Sequence, residues 1–272
     1  MHTFDLAGLQ AAVLNATRRA GHKILKIYAS DFQVGFKGDQ SPLTAADTAA
    51  HRCLKETLTN LPVKFPILSE EEILPYQERK KWQTYWLLDP LDGTKEFIKR
   101  NGEFTVNVAL IHNREPLLGV VHVPVQDTTY YAARGLGAFK QVGEAAPEAI
   151  CVRKPAPAKL VIVGSRSHQT PAFKAYLEKL DGAYELIFIG SSLKFCLVAE
   201  GRADLYPRLG PTSEWDTAAA HCVVAEAGGY VVDLSGKPLR YNTKESILNP
   251  YFLAYGDNSR NWLAYLPEEL WP

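Results

Sequence analysis

The chain has 272 residues, of which 46% are apolar and 22% charged, and its 30 basic and 30 acidic side chains give a formal net charge of zero. This composition is typical of folded globular proteins and excludes a largely disordered chain. The balanced charge argues against broad nucleic-acid binding, which depends on many Lys and Arg contacts with phosphates.

Signals for targeting and for disulfides are weak. Asp5 and the pair Arg18-Arg19 interrupt the N-terminal region, so we expect no secretion signal. The longest apolar stretch, 106–125, contains polar residues, so we expect no transmembrane helix. Widely spaced cysteines predict buried thiols in a reducing compartment, the cytoplasm, and leave open a peripheral position on the inner face of the membrane. These are Cys53, Cys151, Cys196 and Cys222.

The first part of the chain predicts two helices. Apolar residues recur at three- and four-residue steps from Leu6 to Ile27, which indicates an amphipathic helix. A turn-rich link follows at Gly35–Ser41, and Thr44 is placed to cap a second helix from Ala45 to about Leu58. The prolines that flank Val63–Phe65 predict a short extended segment there.

A run of short apolar segments with brief connections then predicts an antiparallel meander. Gly135 and Gly137 mark its predicted end. The four strands are expected at Tyr85–Leu88, Phe104–Ile111, Leu117–Val123 and Thr128–Ala133.

The segment Glu144–Pro157 holds three prolines and is the best candidate for a boundary between subdomains. Beyond it, strands alternate with helices, which predicts an α/β half. We expect strands at Leu160–Val163, Leu186–Ile189, Leu205–Tyr206 and Tyr230–Asp233. We expect helices at Pro171–Leu180, at Leu193–Glu200 with Ser191 or Ser192 as its cap, and at Ser213–Ala227.

Three acidic segments carry the chemistry. In Asp89–Thr94, with sequence Asp-Pro-Leu-Asp-Gly-Thr, an apolar strand delivers Asp89 to its end and Asp92 returns to the same point. Gly93 lets backbone amides approach a ligand, and Thr94 is placed to cap a following helix whose free N–H groups favour an anion. A simple turn is the alternative, since Asp, Pro and Gly all favour turns.

The other two segments are weaker alone. The run Glu70–Glu72 could equally be a charged, solvated surface, since most charge runs are. Only one of its three acids needs to point inward to contribute to a site. Asp216 could simply interact favourably with the dipole at the start of a helix. However, Trp215 and the alanines at 218–220 predict tight packing around it, which is a poor place for an unpaired charge. Carboxylates gathered together stay ionised only when cations hold them, and hard oxygen ligands favour Mg²⁺, Mn²⁺ or Ca²⁺ over Zn²⁺. These acids therefore predict metal-assisted chemistry on a phosphate ester.

Together the three segments resemble the signatures of the lithium-sensitive, magnesium-dependent phosphatases, the superfamily of inositol monophosphatase and fructose-1,6-bisphosphatase. The order and spacing match over nearly the whole chain. The resemblance implies a layered α-β-α-β-α fold of the α+β class, the inositol monophosphatase (sugar phosphatase) fold, with an antiparallel N-terminal sheet and an α/β C-terminal half. Residues 1–145 would carry most metal ligands and residues 158–272 the nucleotide site and Asp216, within one compact unit.

The chain looks closer still to the bacterial 3′(2′),5′-bisphosphate nucleotidases. That likeness lies in four stretches: Asp89–Phe97, Gly164–His168, Gly190–Phe195 and Trp215–Ala219. Inositol monophosphatases usually have Thr-Asn-Phe where this chain has Lys-Glu-Phe at 95–97. Two residues depart from the branch: Ala220 replaces a common Gly, and Glu214 stands where apolar or small residues are more frequent.

The resemblance also implies roles for individual residues. Two or three Mg²⁺ ions would bind per site, the first at Glu70, Asp89 and the carbonyl of Leu91, the second at Asp89, Asp92 and Asp216. Glu70 and a Thr94–Asp47 pair would orient a water activated by the first metal. The residues expected to contact substrate are Glu70, Leu91, Asp92, Gly93, Thr94, Ser165, His168, Ser191, Lys194 and Asp216.

The implied activity is removal of the 3′-phosphate from adenosine 3′,5′-bisphosphate, with a small-molecule nucleotide as the only expected partner and the oligomeric state left open. An inositol-phosphate or sugar-phosphate phosphatase is the main alternative. A haloacid-dehalogenase-type phosphatase is excluded, because it needs Asp-x-Asp and here Asp89 and Asp92 are three apart. A non-catalytic nucleotide sensor would not need all four acids and Thr94.

Some polar residues stay ambiguous in the sequence. Arg166 fits either a phosphate ligand or an ion-pair partner. Four histidines show no metal-ligand spacing with one another, and we expect them to be structural. They are His51, His112, His122 and His221.

Overall fold

The computed structural model describes residues 4–36, 42–180 and 182–271. Its helices are α1 Leu6–Tyr28, α2 Ala45–Thr59, α3 Tyr76–Arg79, α4 Thr94–Ile98, α5 Pro171–Lys179, α6 Leu193–Ala199 and α7 Glu214–Glu226. Its first nine strands are β1 Val34–Phe36, β2 Pro42–Thr44, β3 Ile67–Ser69, β4 Thr84–Asp92, β5 Thr105–His112, β6 Glu115–Val123, β7 Thr128–Ala133, β8 Gly137–Val142 and β9 Glu148–Ala149. The later strands are β10 Leu160–Ser165, β11 Tyr184–Ile189, β12 Leu205–Arg208, β13 Tyr230–Asp233 and β14 Phe252–Tyr255.

The predicted meander is the centre of a seven-stranded sheet in the order β3-β4-β5-β6-β7-β8-β9. Every neighbouring pair is antiparallel except β3 with β4, which is parallel. Strands β5 and β6 are buried on both faces, because helices cover the sheet on either side. Their runs of Val, Leu and Ile are typical of such doubly covered strands.

One face of this sheet packs against α1 and α2. The apolar positions of α1, such as Val13, Ala20 and Ile24, are fully buried in this cluster with Trp86 and Val108. Full burial of each large side chain contributes roughly 1.5–3 kcal/mol. The three-and-four spacing seen in the sequence is therefore the contact face of the helix.

The other face packs against α6 and α7, which in turn cover a second sheet in the order β11-β10-β12-β14-β13. The far side of that sheet packs against α5 through Tyr176 and Trp262. The layers thus run α-β-α-β-α, with an antiparallel first sheet and parallel β10–β11 and β10–β12 pairs in the second. The predicted fold class is confirmed.

Several predicted boundaries were wrong for local reasons. Val63–Phe65 forms no strand; the strand comes just after Pro66, at β3, where it can pair with β4. The glycines at 135 and 137 form a turn within the sheet, which continues into β8 and β9. Strand β14 was missed, although it joins β12 to β13.

The predicted link at Gly35–Ser41 begins inside β1, which pairs antiparallel with β2. Its residues 37–41 lie outside the described residues. Strand β9 falls within the proline-rich segment 144–157 and pairs with β8.

All four cysteines are free thiols, and three of them are buried. The expectation of burial was wrong for Cys151, which is exposed in the connection between the sheets. Among the described helices, none combines the length and the apolar character needed to cross a bilayer.

Candidate active site

A cavity of about 580 Å³ opens where the C-terminal end of β4 meets the beginnings of α4, α6 and α7. Its walls are built from both halves of the chain. The lining includes every residue expected to contact metal or substrate: Glu70, Asp89, Leu91, Asp92, Gly93, Thr94, Ser165, His168, Ser191, Lys194 and Asp216.

A bulge near the end of β4 brings its two aspartates together. Asp89 pairs with Asn107 and Asp92 with Thr105, so two residues of β4 stand opposite one residue of β5. In a regular strand, residues three apart point to opposite faces. The extra residue shifts that alternation, and both carboxylates reach the cavity.

The third carboxylate comes from α7. Asp216 is the third residue of the helix and accepts the backbone N–H of Ser213 at 3.0 Å, within a capping box. Its carboxylate also lies with those of Asp89 and Asp92, where one oxygen of each falls within 4.8 Å of the others. Helix capping and site formation are therefore served by the same side chain.

Buried contacts below Asp216 fix the start of α7. The carboxylate of Glu214, 1% exposed, accepts the backbone N–H of Asn242 at 2.7 Å. The side-chain amide of Asn242 accepts a hydrogen bond from the Arg79 guanidinium and donates one to the Arg79 carbonyl, both at 2.6 Å. Glu214 thus ties α7 to the segment 242–249, and burial raises its pKa to about 7.

Burial and mutual repulsion dominate the electrostatics of the trio. The pKa of Asp89 is raised well above its ordinary value by burial and then by the charges of Glu70, Asp92 and Asp216. Burial followed by the charges of Asp92 and Glu70 raises the pKa of Asp216 in the same way. Oxygen donors that repel one another, with no sulfur or imidazole in the trio, fit a hard divalent cation such as Mg²⁺.

Glu70 is the member of its acidic run that reaches the cavity. It lies outside the trio, but its charge acts on the carboxyls of Asp89 and Asp216 at the same cavity. Glu72 instead points outward and pairs with Lys55 and His51. The backbone N–H of Glu70 donates to Leu88 at 3.2 Å, which places β3 beside the end of β4.

The Thr94 hydroxyl lies between a carbonyl and a buried acid. It donates to the carbonyl of Leu91 at 3.3 Å or to the Oδ1 of Asp47 at 3.4 Å. Asp47, 1% exposed, also accepts the N–H and hydroxyl of Thr44 at 2.7 Å, and burial raises its pKa to about 6. Thr94 was expected to cap α4, but it is the first helical residue, and Gly93 takes the cap position with φ of 94°.

A cationic wall beside the trio is built around Lys194. Lys194 is only 6% exposed, and its amine donates to the carbonyls of Ser191 at 2.5 Å and Ile189 at 3.4 Å. Burial lowers its pKa to about 8, against the nearby charge of Asp92. Ser192 occupies the cap position of α6 without a side-chain cap bond, and its N–H donates to Asp92 at 2.6 Å.

A short loop after β10 completes the rim. The N–H of His168 donates to Ser165 Oγ at 3.1 Å, and its Nε2 lies 2.9 Å from the amine of Lys95. Arg166 forms a two-pronged pair with Glu103 at 2.6 and 2.7 Å, so the ion-pair alternative is the one observed.

The four histidines expected to be structural, His51, His112, His122 and His221, take part in packing. Each ring bonds a hydroxyl of a neighbouring element, and among the described residues none of the four lines the cavity. The pairs are His51 with Ser69, His112 with Thr84, His122 with Thr129 and His221 with Tyr241.

Several cavity residues were missed in the sequence. Lys95 and Glu96 directly follow Thr94, so their place beside the acidic segment was an available signal. Tyr206, Arg208 and Thr212 had no such signal. They reach the cavity because β12 runs beside β10 and ends at its rim.

Comparison with known proteins agrees with this architecture. The family model described as "Inositol monophosphatase family" matches residues 5–267 of the chain. A 3′(2′),5′-bisphosphate nucleotidase CysQ of Escherichia coli O157:H7 is 52% identical over 88% of this chain and 96% of its own. The CysQ of Buchnera aphidicola is 43% identical over 89% of this chain and 91% of its own.

Solved structures give the same result. CysQ from Bacteroides thetaiotaomicron, described as a bacterial member of the inositol monophosphatase family, superposes with a TM-score of 0.83 at 43% identity, covering 94% of this chain and all of the other. An IMPase from Thermotoga maritima superposes with a TM-score of 0.77 at 26% identity, covering 93% of this chain and 94% of the other. This chain, with its carboxylate trio at the junction of two sheets, belongs to the inositol monophosphatase family.

Proposed function

We propose that this chain is a Mg²⁺-dependent phosphatase that removes the 3′-phosphate of adenosine 3′,5′-bisphosphate and releases AMP and phosphate. The observation that carries the proposal is the polarity of one cavity, with a carboxylate trio on one wall and Lys194, Arg208 and Lys95 on the others. Such a cavity suits a ligand that carries one phosphate for chemistry and a second for recognition. The names of its relatives support the same substrate class.

The carboxylates are assigned to metal binding. Glu70, Asp89 and the Leu91 carbonyl would hold one ion, and Asp89, Asp92 and Asp216 another. When bound, these ions neutralise the trio, lower the pKa of coordinated water and stabilise the charge on the leaving oxygen. Without them the cavity would repel a phosphate, since two unit charges about 4 Å apart cost roughly 4 kcal/mol even at an effective dielectric near 20.

Thr94, Asp47 and Glu70 are assigned to the attacking water. The Thr94 hydroxyl is held by Asp47, so its oxygen can accept a hydrogen bond from water and orient a lone pair toward phosphorus. The water oxygen would form the new P–O bond as the P–O3′ bond breaks. The water gives up one proton and the departing O3′ takes one up, so the products are phosphate and a free 3′-hydroxyl. The backbone amides of Gly93 and Thr94 would hold the phosphate oxygens at the start of α4.

The nucleotide is assigned to the C-terminal side of the cavity. Ser165, His168, Ser191 and Lys194 line this side, with Lys194 supplying positive charge from beneath. The natural substrate would be the by-product of sulfate activation, and the 5′-phosphosulfate form of the nucleotide would fit the same chemistry. We also propose that residues 1–145 carry most of the metal ligands and that residues 158–272 carry the nucleotide site and Asp216, within one compact unit.

A side-by-side assay tests the proposal. Turnover of adenosine 3′,5′-bisphosphate and of inositol monophosphate is measured at equal Mg²⁺, and again with chelator present. We expect a strong preference for the nucleotide and negligible activity with chelator. A preference for inositol monophosphate would replace the proposed substrate, and full activity without divalent metal would overturn the mechanism.

A further inference from the structure

Two donors converge on one oxygen of Asp92. The backbone N–H of Ser192, in the turn before α6, donates to Asp92 Oδ2 at 2.6 Å, and the side-chain amide of Asn107 on β5 donates to the same atom at 3.4 Å. The hydrogen bonds of the described residues leave Oδ1 of Asp92 without a donor. Because a carboxylate oxygen has about two lone-pair directions, Oδ2 is occupied and Oδ1 remains for a cation.

The hydroxyls behind Asp92 have one consistent arrangement of protons. An ionised carboxylate only accepts, so the Asn107 amide turns its Nδ2 toward Asp92 and its Oδ1 toward the Ser192 hydroxyl, 2.9 Å away. Ser192 Oγ therefore gives its single proton to Asn107. The Thr105 hydroxyl, also 2.9 Å from Ser192 Oγ, must then be a donor to it.

This network lies behind the cavity rather than in it. Thr105, Asn107 and Ser192 are 0%, 1% and 2% exposed, and only Ser192 is among the described residues that line the cavity. A buried polar group that loses its partner costs free energy, and linked groups of this kind tend to stand or fall together. The three side chains are therefore held in a single arrangement with respect to Asp92.

The turn that presents Ser192 is also held from a second side. The N–H of Gly190 donates to the carboxylate of Glu103 at 2.8 Å, and a Cβ on Gly190 would lie 2.7 Å from the Glu103 carbonyl oxygen. Ser191 has a φ of 48°, in the left-handed region that side chains disfavour. Such a conformation persists where the surrounding structure fixes it. Contacts with the first half of the chain thus set the position of the Ser192 N–H.

We infer that Asn107 and Thr105 are positioning residues for Asp92. They hold the Ser192 N–H and the Asn107 amide on Oδ2, which turns Oδ1 toward the divalent cation and raises the affinity of the site for it. Neither residue touches metal or substrate. Groups that orient a ligating side chain in this way tune metal affinity from outside the coordination shell. The inference rests on the proposed function in one respect, the assignment of Asp92 as a metal ligand.

The test measures metal binding without substrate. Metal-free protein is titrated with Mn²⁺, and the free ion is followed by electron paramagnetic resonance, for wild type, Asn107→Leu, Thr105→Val, Thr105→Ser and the control Thr129→Val. Leu has the branched shape of Asn without its donor and acceptor. Thr129 is also 0% exposed in the same sheet and lies 2.9 Å from His122 Nδ1, but it does not line the cavity. Thermal melts verify that each variant folds.

We expect Asn107→Leu to raise the Kd for Mn²⁺ roughly 10- to 100-fold. Thr105→Val should raise it roughly fivefold, as for loss of one neutral hydrogen bond, whereas Thr105→Ser keeps the donor and should stay within about twofold of wild type. Thr129→Val should lower Tm and leave the Kd unchanged. A wild-type Kd in folded Asn107→Leu, or equal Kd values in Thr105→Val and Thr105→Ser, would overturn the inference. A rise in Thr129→Val as large as in Thr105→Val would overturn it as well, because the effect would then be one of general stability.

Turnover gives a second readout. The Mg²⁺ concentration that gives half-maximal hydrolysis of adenosine 3′,5′-bisphosphate should rise in the same order of variants as the Kd for Mn²⁺, and a different order would count against the inference. Failure of the proposed function is distinguishable. A wild type that binds Mn²⁺ but hydrolyses no nucleotide would defeat the proposed activity, while the comparison of Kd values would still decide the role of Asn107 and Thr105.

Discussion

The two walls of the cavity solve opposite electrostatic problems. On the acidic wall, Asp89, Asp92 and Asp216 face one another, and their pKa values are raised by burial. On the cationic wall, each group has a partner: Lys194 bonds carbonyls, and Arg208 bonds Thr212 and Pro211. The acids of the first wall repel one another, whereas Lys194 and Arg208 of the second are already held by partners within the protein.

The difference indicates how each wall acts. Buried carboxylates that repel one another cost free energy in the folded state, and a site of this kind recovers that cost when metal binds. The cationic wall can be rigid before substrate arrives, so it contributes recognition rather than chemistry. Changes on the acidic wall should therefore reduce kcat, and changes on the other should raise KM.

The largest expected effect is on the acidic wall. Asp92→Asn keeps the shape of the side chain but removes a charged metal ligand, so kcat should fall on the order of 10³-fold, as for a loss of about 4 kcal/mol of transition-state stabilisation. Steady-state kinetics with Mg²⁺ checks this. The exposed acid Glu185, changed to Gln, is the matched control. Near-normal turnover in Asp92→Asn would contradict the assignment of the acidic wall to catalysis.

A smaller loss is expected at the water-orienting pair. Thr94→Val removes the hydroxyl that lies 3.4 Å from Asp47 at nearly constant volume, and kcat should fall about 10²-fold. Thr94→Ser keeps the hydroxyl and should retain most activity. The ratio of the two kcat values is the measurement, and a ratio near one would assign Thr94 a packing role only.

Metal should stabilise the protein, and more so at higher pH. The folded-state pKa values of Asp89 and Asp216 are raised above the ordinary 3.8, so the metal-free fold binds more protons than the unfolded chain. Its stability is therefore fully present below that value and falls as pH rises through the shifted values. Mg²⁺ at about 100 times its Kd adds ~2.7 kcal/mol, which is about 5 °C in Tm.

Thermal melts with Mg²⁺ or chelator at pH 6 and pH 8 check this expectation. The gain in Tm from Mg²⁺ should be larger at pH 8, because fewer protons then compete for the carboxylates. A gain that is equal at both values, or absent, would show that the acidic wall is not the metal site.

The smallest effect concerns the scaffold of Asp216. Burial raises the pKa of Glu214 from 4.5 to about 7 in the folded protein. The stability that this carboxyl contributes is therefore lost as pH rises through that range. Glu214→Gln keeps an acceptor for the N–H of Asn242. It should flatten the pH dependence of stability in this range and change the free energy of unfolding by about 1 kcal/mol. Melts from pH 5 to 8 measure it; an unchanged slope would mean that Glu214 does not titrate there.

The sequence predicts the parts of this molecule that depend on local pattern. The periodicity of α1, the Thr44 cap of α2 and the short loops of the meander each follow from nearby residues, and the structure confirms them. The acidic segments were recognisable because their residue types are unusual together. Their convergence, with Asp216 beside Asp89 and Asp92, is also confirmed.

What the sequence could not predict depends on tertiary contacts. Strand β14 exists because β12 and β13 pair with it, and β3 begins at Ile67 because β4 lies alongside. Arg208 reaches the cavity through the sheet order, which the spacing of strands along the chain does not reveal. The choice of Glu70 over Glu72 depends on where Lys55 and His51 lie.

The most direct test of the central claim is anomalous diffraction from crystals soaked in Mn²⁺. We predict a strong manganese peak bounded by the carboxylates of Asp89, Asp92 and Asp216, and its loss in Asp216→Asn crystals. No peak at this position, with Asp216 turned away from the other two acids, would contradict the account.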